Sequence, residues 1–127
     1  MPGYVTARAT ELLNSRSKAL NGSQVLLVGV TYKKDIADQR ETPATAVARK
    51  LRAQGAALAY HDPYVIEWEV DGQPVRHATD LDAELAAADL TILLQQHSAY
   101  NLESMVQMST LLLDTCGHAR GENVETL

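Results

Sequence analysis

The chain has 127 residues, 46% of them hydrophobic and 21% charged, with a formal net charge of −5. That is one globular domain's worth, neither a disordered tail nor a basic nucleic-acid-binding module. A single cysteine, Cys116, excludes an internal disulfide and fits a reducing, cytoplasmic setting. No apolar run approaches the roughly 20 residues of a membrane-spanning helix, and no signal-peptide pattern opens the chain.

Residues Pro2 to about Leu20 read as a helix, with Val5, Ala9, Leu12 and Leu13 on one face and Asn21-Gly22-Ser23 as its breaker. Val25 to Val30 is a continuous apolar run, the pattern of a parallel strand buried on both faces. Thr42 suits an N-cap and Pro43 the first helical position. Ala44, Val47, Ala48 and Leu51 then repeat at helical spacing until Gly55 closes the helix. Ala57 to His61 is the next strand. Asp71-Gly72 predicts a small hairpin over Val70 to Val75, in which Pro74 is confined to an edge. A short helix over Leu81–Ala88 capped by Asp80, a strand over Leu90–Leu94, a helix over Leu102–Met108 and a last strand over Leu111–Asp114 complete the chain. The alternation implies an α/β fold, a Rossmann-like three-layer domain with a mainly parallel sheet, preceded by an N-terminal helix.

In such sheets ligands bind beyond the carboxyl ends of the strands. Those ends carry Thr31-Tyr32-Lys33-Lys34, His61-Asp62, Gln95-Gln96-His97 and Asp114-Thr115-Cys116. The first loop has Gly29 alone where a dinucleotide site would show G-x-G-x-x-G, so the chain is no self-sufficient NAD site. Lys33, Lys34 and Arg40 lead instead to the helix that starts near Pro43, a charge pattern suited to a phosphate or diphosphate. The same cations equally suit surface pairing with Asp35, Asp38 and Glu41. Tyr32 either stacks on a ligand ring or, as the residues alone favour, packs beside the strand. His61, His77, His97 and His118 show no metal-ligand spacing, and a lone strand-end histidine reads as a hydrogen-bonded loop residue. Cys116 reads as a half-buried inert thiol, and Asp62 as a turn former before Pro63.

Val28-Gly29-Val30-Thr31-Tyr32-Lys33-Lys34-Asp35, followed by Asp38-Gln39-Arg40-Glu41-Thr42-Pro43, resembles the signature that opens the carboxy-terminal domain of UDP-glucose/GDP-mannose dehydrogenases. Leu51 to Gly55, Tyr60 to Val65, Ala88-Asp89, Leu113-Asp114-Thr115 and the opening Met1 to Val5 resemble further segments of that domain, in order. His97-Ser98-Ala99-Tyr100 looks like the version in UDP-N-acetylhexosamine dehydrogenases. The resemblance implies a nucleotide-sugar 6-dehydrogenase, which oxidises the C6 hydroxyl of a UDP-sugar to a carboxylate with NAD as cofactor, for polysaccharide precursor biosynthesis. It implies that residues 1–22 are a linker helix from a central domain and 23–127 the nucleotide-sugar-binding domain. The NAD-binding fold and the nucleophilic cysteine of that family precede the segment seen here, so this domain alone is expected to be inactive. By the same resemblance Tyr32 and Lys33 contact the nucleotide sugar and Arg40 reaches NAD.

One position departs from the pattern. Cys116 stands where the family carries an arginine that binds the nucleotide sugar, and a thiol cannot take that role, so the interaction is missing unless Arg120 supplies it. The resemblance also implies a monomeric domain from a homo-oligomeric parent, while the net charge of −5 and the lack of a long apolar run point to neither nucleic acid nor membrane as partner. The alternative is a degenerate or standalone nucleotide-binding α/β module; a receiver-like module is disfavoured because Gly29-Val30-Thr31 stands where its acidic pair would be.

Overall fold

The computed structural model describes residues 2–39 and 42–127. In chain order it holds α1 (Pro2–Ser15), β1 (Gln24–Val28), α2 (Pro43–Ala53), β2 (Ala57–His61), β3 (Glu69–Val70), β4 (Gln73–Pro74), β5 (Arg76–His77), α3 (Leu81–Ala87), β6 (Leu90–Leu93), α4 (Leu102–Met108), β7 (Leu112–Asp114) and β8 (Val124–Thr126). Six strands form one sheet in the order β5-β2-β1-β6-β7-β8, and every neighbouring pair runs parallel.

Residues of successive parity in a strand face opposite sides, and the continuous apolar runs serve both. Val25 and Leu27 of β1, with Leu90, Ile92, Leu111 and Leu113, join Val5, Ala9 and Leu13 of α1 and Val47, Ala48 and Leu51 of α2 in one core. Leu26 and Val28, with Ala59, Leu93 and Leu112, meet Leu85 of α3 and Met105 of α4 in the other. The result is the expected three-layer α/β domain.

The helix ends follow local chemistry. Thr42 accepts a hydrogen bond from the Ala44 N–H at 3.3 Å, and Pro43 opens α2. Gly55 sits at φ +90 while the Ala56 N–H reaches the Leu51 carbonyl, the Schellman closure. α1 stops at Ser15 rather than near Leu20 by the same device without a glycine. Ser17 takes φ 60, its N–H reaches the Asn14 carbonyl and the Lys18 N–H reaches the Leu13 carbonyl.

The Asp71-Gly72 turn makes the predicted hairpin with both residues at positive φ, and Pro74 lies in this separate two-stranded sheet. Two strands were not expected. β5 is two residues beside β2, and β8 continues the sheet past β7, so Leu112–Asp114 is not the last strand.

Candidate functional site

β1 lies where the strand order reverses: β2 and β5 extend from one side of it, β6 to β8 from the other. At such a switch point the loops leaving two neighbouring strands part in opposite directions and open a crevice. Here that point lies between β1 and β6, and the loops that follow them pack against each other. Gly29, at φ +79, makes their approach possible; a Cβ there would fall 2.1 Å from the Gln95 carbonyl oxygen. Only a residue without a Cβ fits this close approach of the two loops.

Two acids and one imidazole tie the loops together. Asp62, 2% exposed, follows β2 and accepts from the Val30 N–H at 2.8 Å and the Tyr64 N–H at 2.8 Å. Its Oδ2 also lies 2.9 Å from Nε2 of His97, which is fully buried after β6. His97 Nδ1 accepts from the Asp35 N–H at 2.8 Å. A backbone N–H only donates, so Nδ1 carries the lone pair and Nε2 carries the hydrogen that points at Asp62. Thr31 Oγ1 lies 3.3 Å from Nε2 and donates to the Lys33 carbonyl at 2.8 Å. Asp35 itself, at φ 61, accepts from the Ser98 N–H at 2.7 Å and the Ser98 hydroxyl at 2.5 Å. These bonds hold its carboxyl below the usual aspartate range. Gln95 donates from Nε2 to the Tyr32 carbonyl at 3.1 Å.

On this frame Tyr32 is 44% exposed. Lys33 is exposed, with its Nζ 5.8 Å from the centre of the Tyr32 ring. Neither Lys33 nor Lys34 has an ion-pair partner among the described residues, and Asp35 is engaged by Ser98 rather than by a lysine ion pair. Arg40 and Glu41 lie outside the described residues.

The loop after β7 closes the same edge of the sheet. Asp114, fully buried, accepts from the N–H groups of Cys116, His118 and Ala119 at 2.7, 2.8 and 2.7 Å. Cys116 is half-buried, and burial, then the Asp114 charge, push its thiol pKa up. A thiol so placed is a poor nucleophile. The His118 ring is bonded to Gln96 Oε1 at 2.7 Å. Arg120 folds onto its own loop, donating to the Ala119 carbonyl at 2.8 Å and the Gly117 carbonyl at 3.2 Å. Behind the crevice the Tyr100 hydroxyl donates to the His61 carbonyl at 3.0 Å. Burial lowers the pKa of His61 and raises that of Tyr100. Among the described residues no group of three or more His, Cys, Asp or Glu side chains is arranged to hold a metal ion.

Sequence reasoning places the four loops at the carboxyl ends of the strands and reads His97 as a hydrogen-bonded loop residue, as the structure has them. It misses that Asp62 does more than form its turn, and that Asp35 serves Ser98. No local signal announces either pairing; both join residues that only the sheet order brings together.

A parallel sheet in this order with helices packed on both faces defines a Rossmann-like three-layer domain. The chain belongs to the UDP-glucose/GDP-mannose dehydrogenase family: residues 26–119 match that family's UDP binding domain. It is 30% identical over 124 residues to the UDP-N-acetyl-D-mannosamine dehydrogenase of Methanocaldococcus jannaschii, covering 91% of this chain and 26% of that one. Among solved structures, the NDP-N-acetyl-D-galactosaminuronic acid dehydrogenase from Methanosarcina mazei Go1 superposes with a TM-score of 0.80 at 22% identity, covering 99% of this chain and 28% of that one. The UDP-N-acetyl-mannosamine dehydrogenase from Staphylococcus aureus does so at 0.71 and 26% identity, covering 98% and 29%. The chain thus spans about a quarter of the length of these relatives. No described helix is long and apolar enough to cross a membrane.

Proposed function

We propose that this chain is the nucleotide-sugar-binding lid of an NAD-dependent nucleotide-sugar 6-dehydrogenase, an enzyme that oxidises the C6 hydroxyl of a UDP-sugar to a carboxylate. The observation that carries the reading is the loop after β1. Its backbone is fixed at the switch point by buried partners, while Tyr32 and Lys33 are left exposed, with Lys33 unpaired among the described residues. An aromatic face and an ammonium held side by side suit a nucleotide and its diphosphate. Tyr32 and Lys33 bind the UDP-sugar in this reading, and Arg40 reaches across to NAD, which is held mainly by parts of the enzyme outside this chain.

Residues 1–22 are the helical entry from a central domain, and 23–127 the binding domain. The domain alone is inactive and monomeric, and the whole enzyme is a cytoplasmic homo-oligomer that supplies polysaccharide precursors. Its partners are the UDP-sugar and the remainder of its own polypeptide. The acetamido-sugar dehydrogenases among its relatives favour a UDP-N-acetylhexosamine as substrate.

An NMR titration of the labelled domain with UDP-N-acetylglucosamine, UDP-glucose and GDP-mannose tests this. Shifts centred on Tyr32 and Lys33, largest for the acetamido sugar, are expected at millimolar ligand. A folded domain with no shifts, or with shifts only at the β3–β4 hairpin, would remove the reading.

A further inference from the structure

We infer that His97 and Asp62 are positioning residues for nucleotide binding, holding the Tyr32–Lys33 segment in its binding conformation through a single imidazole tautomer. The inference rests on the reading that Tyr32 and Lys33 meet the nucleotide, and it extends that reading to two residues that cannot touch it.

The segment is tied at both ends to one buried pair. On one side the Val30 N–H donates to Asp62 Oδ2 at 2.8 Å; on the other the Asp35 N–H donates to His97 Nδ1 at 2.8 Å. The pair is itself joined by Nε2 and Oδ2 at 2.9 Å. Two donors that belong to the backbone therefore meet two acceptors, and one ring hydrogen closes the chain between them. Both side chains are shut away from solvent, at 0% and 2% exposure, so bulk water has no access to either acceptor.

The ties also hold an uncommon backbone. Asp35 stands at φ 61, where a residue with a Cβ persists only if its surroundings insist. His97 takes its N–H and Ser98 its carboxylate, so one short stretch after β6 grips both ends of that residue. The Tyr64 ring, 4.9 Å from the imidazole and edge-on, and the Tyr100 ring at 5.8 Å fix the plane in which Nδ1 points. An imidazole presents one acceptor and one donor on opposite sides of a rigid ring, which is what this span requires. A leucine fills a similar volume but offers neither. A glutamine can accept at Oε1 and donate at Nε2 from a flexible stem.

The experiment compares the unmodified chain with His97→Leu and His97→Gln, using UDP and UDP-N-acetylglucosamine as ligands. Long-range nitrogen–proton NMR on the unmodified chain is expected to show Nε2 protonated and Nδ1 bare; a protonated Nδ1 overturns the inference without any mutation. In His97→Leu the amides of Tyr32 and Asp35 should lose their exchange protection and UDP should bind about tenfold more weakly or worse. His97→Gln should recover most of both. If His97→Leu does not fold, Ser98→Ala, which loosens Asp35 alone, should show the same loop effect in weaker form. Unchanged protection and unchanged UDP affinity in the folded variants would overturn the inference. Should UDP shift no amide in the unmodified chain, the binding reading fails, while the loop protection still decides whether His97 positions the segment.

Discussion

Two aspartates sit at the sheet's carboxyl edge, one after β2 and one at the end of β7, and each is buried with three donors around it, yet they do different work. Asp114, closing β7, accepts from Cys116, His118 and Ala119, all within its own loop. Asp62, just past β2, accepts from Tyr64 in its own turn, but also from Val30 after β1 and His97 after β6. One acid folds a single loop; the other ties three strand ends together. A buried carboxylate is thus not in itself a sign of a site. What distinguishes Asp62 is that its donors arrive from different strands at the point where the sheet order reverses.

Replacing both acids should separate the two roles. Asp62→Ala leaves two backbone N–H groups and an imidazole hydrogen without an acceptor, and the cost is expected at about 3–5 kcal/mol in urea unfolding. Its amide-shift changes should spread over the loops after β1, β2 and β6. Asp114→Ala also orphans three N–H groups, but the loop can open to water, so a loss of about 2–3 kcal/mol is expected with changes confined to residues 115–119. Equal spread of the two perturbations would erase the contrast.

Gly29→Ala probes the crevice from its floor. The added carbon falls 2.1 Å from the Gln95 oxygen at φ +79, so the β6 loop must move. About 2–4 kcal/mol should be lost by thermal unfolding, the backbone conformation alone accounting for roughly 1–2 of it. Preserved stability would mean the two loops are not packed as described.

Smaller effects lie outside the crevice. With its thiol pKa raised by burial and by Asp114, Cys116 carries less thiolate at pH 8 than a free cysteine. It should therefore react more slowly with iodoacetamide, the rate still climbing well above the pH at which free cysteine levels off. At the opposite edge of the sheet, Asp89 accepts from Lys18 at 2.6 Å and from the Gln24 N–H at 2.8 Å, which lower its pKa. A lowered carboxylate pKa contributes stability that is full above about pH 4 and fades as pH falls through the folded value. Because the pair is exposed, Lys18→Ala should cost less than about 1 kcal/mol at neutral pH, and the difference should vanish in acid.

The legible parts of this fold are those whose causes are local. The apolar run Val25–Val30 announces a central strand, and Thr42-Pro43 with Gly55 brackets α2. Asp71-Gly72 specifies its turn. The end of α1 escapes sequence reasoning because Ser17 takes the left-handed position that glycine usually occupies. β5 and β8 escape it because two and three residues are too short to show a period, and each is a strand only through pairing with β2 or β7. The candidate site divides in the same way. Tyr32 and Lys33 stand in a recognisable segment, whereas the bonds that fix them join Asp62 and Val30 to partners 32 to 35 residues away.

Transferred NOEs between UDP-N-acetylglucosamine and the domain test the central claim most directly, since they report proximity rather than shift. Cross-peaks from the nucleotide to the Tyr32 ring and to the loop from Gly29 to Lys34 are predicted. Cross-peaks confined to the hairpin, to α1 or to the loop around Arg120 would contradict the account, and would move the nucleotide off the switch point.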